Sequence, residues 1–177
     1  MARPLDLVLG DRPARSPQQE ARPFIVVVGL DFGHAAIRGI DVAVRAAARH
    51  AAGEVHLVTV APRTFTFGAF APFGTTEVAL EARRRQLELV LGTAHRPARV
   101  RMFGHTSFGP PARAIVTVAR KLAADLILLG TEGSSGPSTL VVRSVTARVH
   151  EEAPCAVITI HPSRIMPCAV AARFGPW

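Results

Sequence analysis

Two uninterrupted apolar runs, Phe24-Ile-Val-Val-Val-Gly29 and Asp125-Leu-Ile-Leu-Leu129, constrain this chain more than any other feature. Neither alternates apolar with polar residues, so a strand made from either has no side that tolerates water. Such strands belong in the middle of a parallel sheet, where helices cover both faces. Valine and isoleucine fill the first run, and their β-branched side chains pack well on an extended backbone.

After each run the periodicity changes. Leu30-Asp31-Phe32-Gly33 reads as a turn. Ile37, Ile40, Val44, Ala47, Ala48 and Ala51 then mark one helical face, with Arg38, Arg45 and Arg49 away from it. Gly53 is expected to end this helix. Glu54–Val60 reads as a second strand, and a β-α-β unit this short implies parallel strands with a right-handed crossover. Further on, Glu77–Leu91 reads as a helix and Arg99–Phe103 as a third strand. Gly109-Pro110-Pro111 opens a helix, since proline fits a first turn whose N–H has no intrahelical partner. Ile115, Val118, Ala119 and Leu122 form its apolar face. Beyond Leu129 lies a loop of Gly, Ser and Thr, and then Leu140, Val141, Val145 and Val149 at helical spacing. Ala156–Ile160 is the last strand. Alternating strands and helices of this kind make a layered α/β fold around a parallel sheet. The expected organisation is a flexible arm over residues 1–22, one domain over 23–161 and a tail over 162–177. Ala61–Thr76, with four phenylalanines, reads as a loop tucked onto the body or as a flap over a site.

Composition removes several function classes. The net charge of +8 comes almost wholly from arginine, because Lys121 is the only lysine. The arginines are scattered, with Arg83-Arg84-Arg85 the only run, which reads as a solvated face. Tyrosine is absent, and the interleaved aromatics of single-strand binders are missing, so nucleic acid is not the expected partner. No apolar run approaches the roughly 18 residues of a membrane span, and nothing reads as a secretion signal, so a cytoplasmic location is expected. Cys155 and Cys168 make no disulfide framework. Cys155 follows Ala153-Pro154 into a buried strand and reads as a packed thiol. The seven histidines show no shared metal spacing, and His56, inside a strand, reads as a satisfied core or edge histidine. Neither a P-loop nor a G-x-S-x-G elbow is present.

In an open parallel sheet, ligands bind beyond the carboxyl ends of strands where the strand order reverses. The two apolar runs are the natural neighbours at such a point. Their ends carry Asp31 and Gly130-Thr131-Glu132-Gly133, a carboxylate beside an anion-type loop. Asp31 either accepts from a ribose hydroxyl or exocyclic amine, or caps the turn that follows it.

Three stretches resemble the universal stress protein family. They are FIVVVGLDFG, GPPARAIVTVARKLAADLILLGTEG and TLVVRSVTARVHEEAPCAVITI, and the likeness runs from about Phe24 to Ile160. The resemblance implies an open five-stranded parallel sheet ordered 3-2-1-4-5 with helices on both faces. It implies homodimers joined through the last strand, and roles in stress survival rather than a defined reaction. Some members bind ATP through Gly-x2-Gly-x9-Gly-[Ser/Thr]. Here Gly130 and Gly133 match the first two glycines, Arg143 stands at the third and Ser144 matches the hydroxyl residue. Asp31 matches the aspartate that contacts the nucleoside, and Val60 and Leu129 match its apolar lining. The site implied is therefore Gly29, Leu30, Asp31, Val60, Leu129, Gly130, Glu132, Gly133, Arg143, Ser144 and Val145. Its ligand is an adenine nucleotide, ATP with or without Mg2+; the alternative is a nucleotide-free homodimeric interaction module. A guanidinium at Arg143 can itself grip phosphate. Glu132 repels phosphate if it points inward, by about 4 kcal/mol for unit charges about 4 Å apart at an effective dielectric near 20. No catalytic base or metal cluster is evident, so at most slow ATP hydrolysis is expected.

Overall fold

The computed structural model describes residues 22–61, 76–130, 138–161 and 164–167; for 76, 138–144 and 164–167 it describes the backbone alone. The arm, the phenylalanine loop at 62–75, the loop at 131–137 and most of the tail lie outside the described residues. Strands β1 (Phe24–Gly29), β2 (Gly53–Ala61), β3 (Val100–Phe108), β4 (Leu126–Gly130), β5 (Ala156–His161) and β6 (Arg164–Pro167) form one sheet. Its order is β3-β2-β1-β4-β5-β6. The first five strands are parallel, in the expected order 3-2-1-4-5. β6 folds back antiparallel on β5, pairing Ile160 with Ile165. It was not visible in the sequence, since four residues ending in proline carry too little period to read.

Four helices alternate with these strands: α1 (His34–Ala47), α2 (Thr76–Thr93), α3 (Pro111–Leu122) and α4 (Ser138–Glu152). Two apolar clusters fill the space between layers. On one face Val26, Val28, Val55, Leu57 and Leu128 pack with Ile40 and Ala43 of α1 and Leu87 and Leu91 of α2. On the other, Ile25, Val27, Val58, Ile127 and Leu129 pack with Ile115 and Ala119 of α3 and Val149 of α4. The middle residues of β1 and β4 are buried on both faces, as their unbroken apolar runs require.

Several local boundaries differ from expectation. α1 closes at Ala48 rather than at Gly53, which instead starts β2. A Cβ on Gly53 would lie 2.6 Å from the Ala47 carbonyl oxygen, so the glycine serves the close passage of helix end and strand start. Ile37 is exposed, and α1 buries Ala35, Ala36 and Gly39 instead. Small residues let α1 sit close to the sheet, a signal that apolar periodicity alone does not weigh. β3 continues to Phe108, well past Phe103, as a strand with one buried and one half-open side. Its second half, Gly104-His-Thr-Ser107, lacks the β-branched richness that marks the other strands.

β1 and β4 are tied at their starts by Asp125. Its Oδ2 accepts from the Ile25 N–H at 2.8 Å, while its own N–H donates to the Ile25 carbonyl at 2.9 Å. Arg22 donates to Asp125 Oδ1 at 3.2 Å and to the Ala123 carbonyl, closing the end of α3 where Ala123 turns left-handed. Removing the carboxylate leaves the Ile25 N–H without its side-chain partner, at a cost of about 1–3 kcal/mol. Asp125→Ala should therefore lower the melting temperature by about 2–4 °C per kcal/mol lost, as thermal unfolding will show.

Candidate functional site

β1 and β4 are neighbours, yet the chain leaves them for opposite faces of the sheet, into α1 and α4. A crevice opens between their carboxyl ends. Its cavity of about 170 Å³ is bordered by Gly29, Leu30 and Asp31 after β1, Val58 and Val60 of β2, and Leu129 and Gly130 of β4. Pro111 and Ile115 of α3, Val145 and Thr146 of α4, and Arg83 of α2 complete it. This is smaller than the roughly 300 Å³ and upward of a typical drug-sized ligand pocket, and suits a ring system.

Seven of the residues singled out from sequence meet in this one cavity: Gly29, Leu30, Asp31, Val60, Leu129, Gly130 and Val145. Glu132 and Gly133 lie outside the described residues. Arg143 and Ser144 fall in α4, with backbone described but not side chains.

Each position has a local cause. At Asp31 the structure shows the turn. Oδ1 accepts from the Gly33 N–H at 2.8 Å, forming a turn that leads into α1, and the residue borders the cavity. Phe32, between them, has φ of 66°, in the left-handed region that non-glycine residues seldom adopt. At Gly29 a Cβ would stand 2.8 Å from both Ile115 Cδ1 and Leu129 Cδ2, so the glycine leaves the space those side chains border. At Gly130 a Cβ would meet backbone: Ala36 N at 2.5 Å and Ala35 C at 2.8 Å. The end of β4 thus abuts the first turn of α1, whose N-terminal amides carry the positive end of the helix dipole.

Arg83 was missed in the sequence because it sits in a basic run. The run divides: Arg84 pairs with Glu88 at 3.2 Å and Arg85 with Glu81 at 3.3 Å along the solvated side of α2. Arg83 borders the cavity, with its guanidinium 5.1 Å from the centre of the Phe32 ring and its Nη1 donating to Gln86 Oε1 at 3.3 Å. A cation over an aromatic face is held there by the ring quadrupole. The acids four residues away that partner Arg84 and Arg85 supply the one sequence signal: Arg83 has Leu87 four residues on and Ala79 four residues before.

Elsewhere, Cys155 is half-buried and its thiol is pushed up to about 11, first by burial and then by the Asp125 charge. A thiol held protonated is a packing group rather than a nucleophile. His56 is 4% exposed and hydrogen-bonded at both ring nitrogens. Among the described residues no group of three or more His, Cys, Asp or Glu could hold a metal ion, and no helix is long and apolar enough to cross a membrane.

The strand order and layering agree with the comparison to known proteins. The family model described as "Universal stress protein family" matches residues 24–161. The chain belongs to the universal stress protein family. "Universal stress protein MJ0531" of Methanocaldococcus jannaschii is 42% identical over 52 residues, which is 29% of this chain; the match spans 31% of the length of that curated relative. Among solved structures, universal stress protein UspA from Lactobacillus plantarum is 27% identical, with a TM-score of 0.55 over 79% of this chain and 99% of its own. A universal stress protein solved in complex with cAMP is 21% identical, with a TM-score of 0.52 over 77% and 96% of the two chains, and shares the fold.

The contact at Gly130 sets a test of the site's architecture. Gly130→Ala places a methyl against α1 backbone, which cannot yield as a flexible side chain can. Overpacking of this kind costs about 1–3 kcal/mol. Denaturant unfolding should show that loss, while Gly92→Ala, in open space near the end of α2, should show none.

Proposed function

We propose that the cavity binds an adenine nucleotide, ATP being the form the loop pattern suits. The observation that carries this reading is the convergence, at the strand-order reversal, of an acceptor carboxylate, apolar walls, a loop-opening glycine and a cation. Val58, Ile115, Leu129 and Val145 offer flat apolar contact to a purine. Asp31 keeps a carboxylate oxygen for a ribose hydroxyl or exocyclic amine while Oδ1 holds the turn. The loop from Gly130 through Gly133, with Ser144 and Arg143 beyond it, is assigned to the phosphates. Arg83 adds a positive charge at the cavity. The cAMP complex of a protein with this fold is in keeping with the reading, though the cavity's lining carries it. Any Mg2+ is assigned to the nucleotide's phosphates, with water completing its shell. Binding alone is proposed, with no catalytic step.

Homodimerisation through the sheet edge is proposed alongside. Because β6 already pairs with the outer edge of β5, a partner strand that leaves β6 in place must add to β6. Light scattering at micromolar concentration should return a dimer mass; a monomer mass refutes the pairing.

Ligand at about 100 times its Kd should stabilise the fold by about 2.7 kcal/mol, a rise of several degrees in a melting scan. Asp31→Ala should abolish the shift given by adenosine. Arg83→Ala should weaken ATP by about tenfold while leaving adenosine nearly unchanged, since a charge-assisted hydrogen bond is worth about 1.5–3 kcal/mol and adenosine has no phosphate to receive it. No bound nucleotide by mass spectrometry after gentle purification, with no shift in MgATP, refutes the reading.

A further inference from the structure

Between α3 and α4, the helices that pack on one face of the sheet, lies a second cleft of about 380 Å³. That volume falls among small-molecule sites, which run from roughly 300 to 1,000 Å³. Ala112 and Val116, four residues apart on α3, are its buried lining, and their short side chains leave the space. Thr117 adds a hydroxyl beside them. Arg113 and Arg120 border the cleft from α3, and Arg148 faces them from α4. Glu152 is the one carboxylate in the lining. No residue of this cleft borders the nucleotide cavity, which the same two helices reach through Pro111, Ile115, Val145 and Thr146.

The charge here differs from that of a solvated helix face. α2 shows what such a face looks like in this protein: Arg84 and Arg85 each meet a glutamate four residues away. α3, reading PARAIVTVARKL, contains no acidic residue. Among the described residues no ion pair involves Arg113, Arg120 or Arg148, although Glu152 stands one helical turn from Arg148. Three guanidiniums against one carboxylate leave the cleft with an excess of two positive charges.

Arg120 is fixed in another way. Its Nη2 donates to the Glu152 backbone carbonyl at 2.8 Å, which ties α3 to the last turn of α4. The negative end of the α4 dipole lies there, so the cation is well placed. A guanidinium has five N–H donors, and this bond uses one. Arg120 is thus held at the cleft by protein while most of its donors point elsewhere. Such a cation loses less side-chain freedom when it takes an anion.

We propose that the α3–α4 cleft is a second ligand site, for a small hydrophilic anion that carries a phosphate group. No lysine lines this cleft. All its cations are guanidiniums, whose planar fork matches two phosphate oxygens at once. A phosphate monoester carries about −1.5 to −2 at pH 7, close to the excess charge of the lining. The cleft has room beside a phosphate, and Ala112 and Val116 offer apolar contact to a short carbon frame. The phosphate is either free or borne by a small organic monoester of that kind. Arg113 and Thr117, on the crest of α3, also border the groove between α3 and β3. Arg148 borders this cleft and not that groove, so it decides the test.

Glucose 6-phosphate is the first probe, titrated against sodium chloride at equal ionic strength and followed by backbone amide NMR. It should shift the Thr117 and Arg148 amides saturably, and glucose should not. Arg148→Glu should weaken this binding by about tenfold or more. Arg148→Lys, which keeps the charge and loses the fork, should weaken it by less. Arg45→Glu, the same charge change on α1, should leave it nearly unchanged. A cooperative melt without ligand shows that each variant is folded. Inorganic phosphate then distinguishes the sources: equal affinity assigns a free phosphate, and tighter glucose 6-phosphate assigns an ester. Adenosine is followed separately at Leu30 and Leu129 of the nucleotide cavity, so either reading can fail alone. Unmoved Thr117 and Arg148 amides, or equal effects of Arg148→Glu and Arg45→Glu, overturn the proposal.

Discussion

The alignment of β1 with β4 is the constraint on which this molecule's architecture depends. The strands pair Val26 with Leu126 and Gly29 with Leu129, and their buried middles can be covered only by helices on both sides. Once they are neighbours, one must send its chain to one face and the other to the opposite face. The crevice between their carboxyl ends is a by-product of that divergence, present before any ligand chemistry is added. Asp125 fixes the pair by meeting Ile25 through both backbone and side chain. A one-residue slip would turn every side chain of a strand to the other face. The Asp125 contact and the double burial therefore guard the same alignment.

Much of the fold was legible because it is written in short-range patterns. The runs at 24–29 and 125–129, the proline opening of α3 and the last helix and strand all appear close to where the sequence places them. What escaped notice depends on neighbours. Gly53 looked like a helix stop because glycine commonly is one, whereas here it answers to the carbonyl of Ala47 across the β2 start. Ile37 looked like core because it fits the helical period, but α1 turns its alanine and glycine side to the sheet. β3 ran further than expected because an edge strand does not need the apolar density of a central one.

The candidate site divides in the same way. Gly29, Leu30, Asp31, Leu129 and Gly130 follow directly from strand ends, so chain order alone brings them together. Arg83 and Ile115 arrive from helices, and nothing local in the sequence says which side of α2 meets the crevice. The arginine run shows this plainly: three adjacent identical side chains take two fates, set by the roughly 100° turn between successive helical positions. The histidine pair shows it across strands. His56 and His105 are 49 residues apart and meet only because β2 and β3 pair in one register.

Gly130 has a consequence for how such sequences are interpreted. A side chain there would collide with the backbone of α1 whether or not a phosphate ever binds. Selection for folding alone is then enough to keep the first glycine of the loop pattern. A chain that gave up its nucleotide would continue to display that letter, much as a building keeps a doorway after the passage behind it is closed. Positions free of such packing duty, rather than the glycine itself, are where loss or retention of the ligand leaves its record.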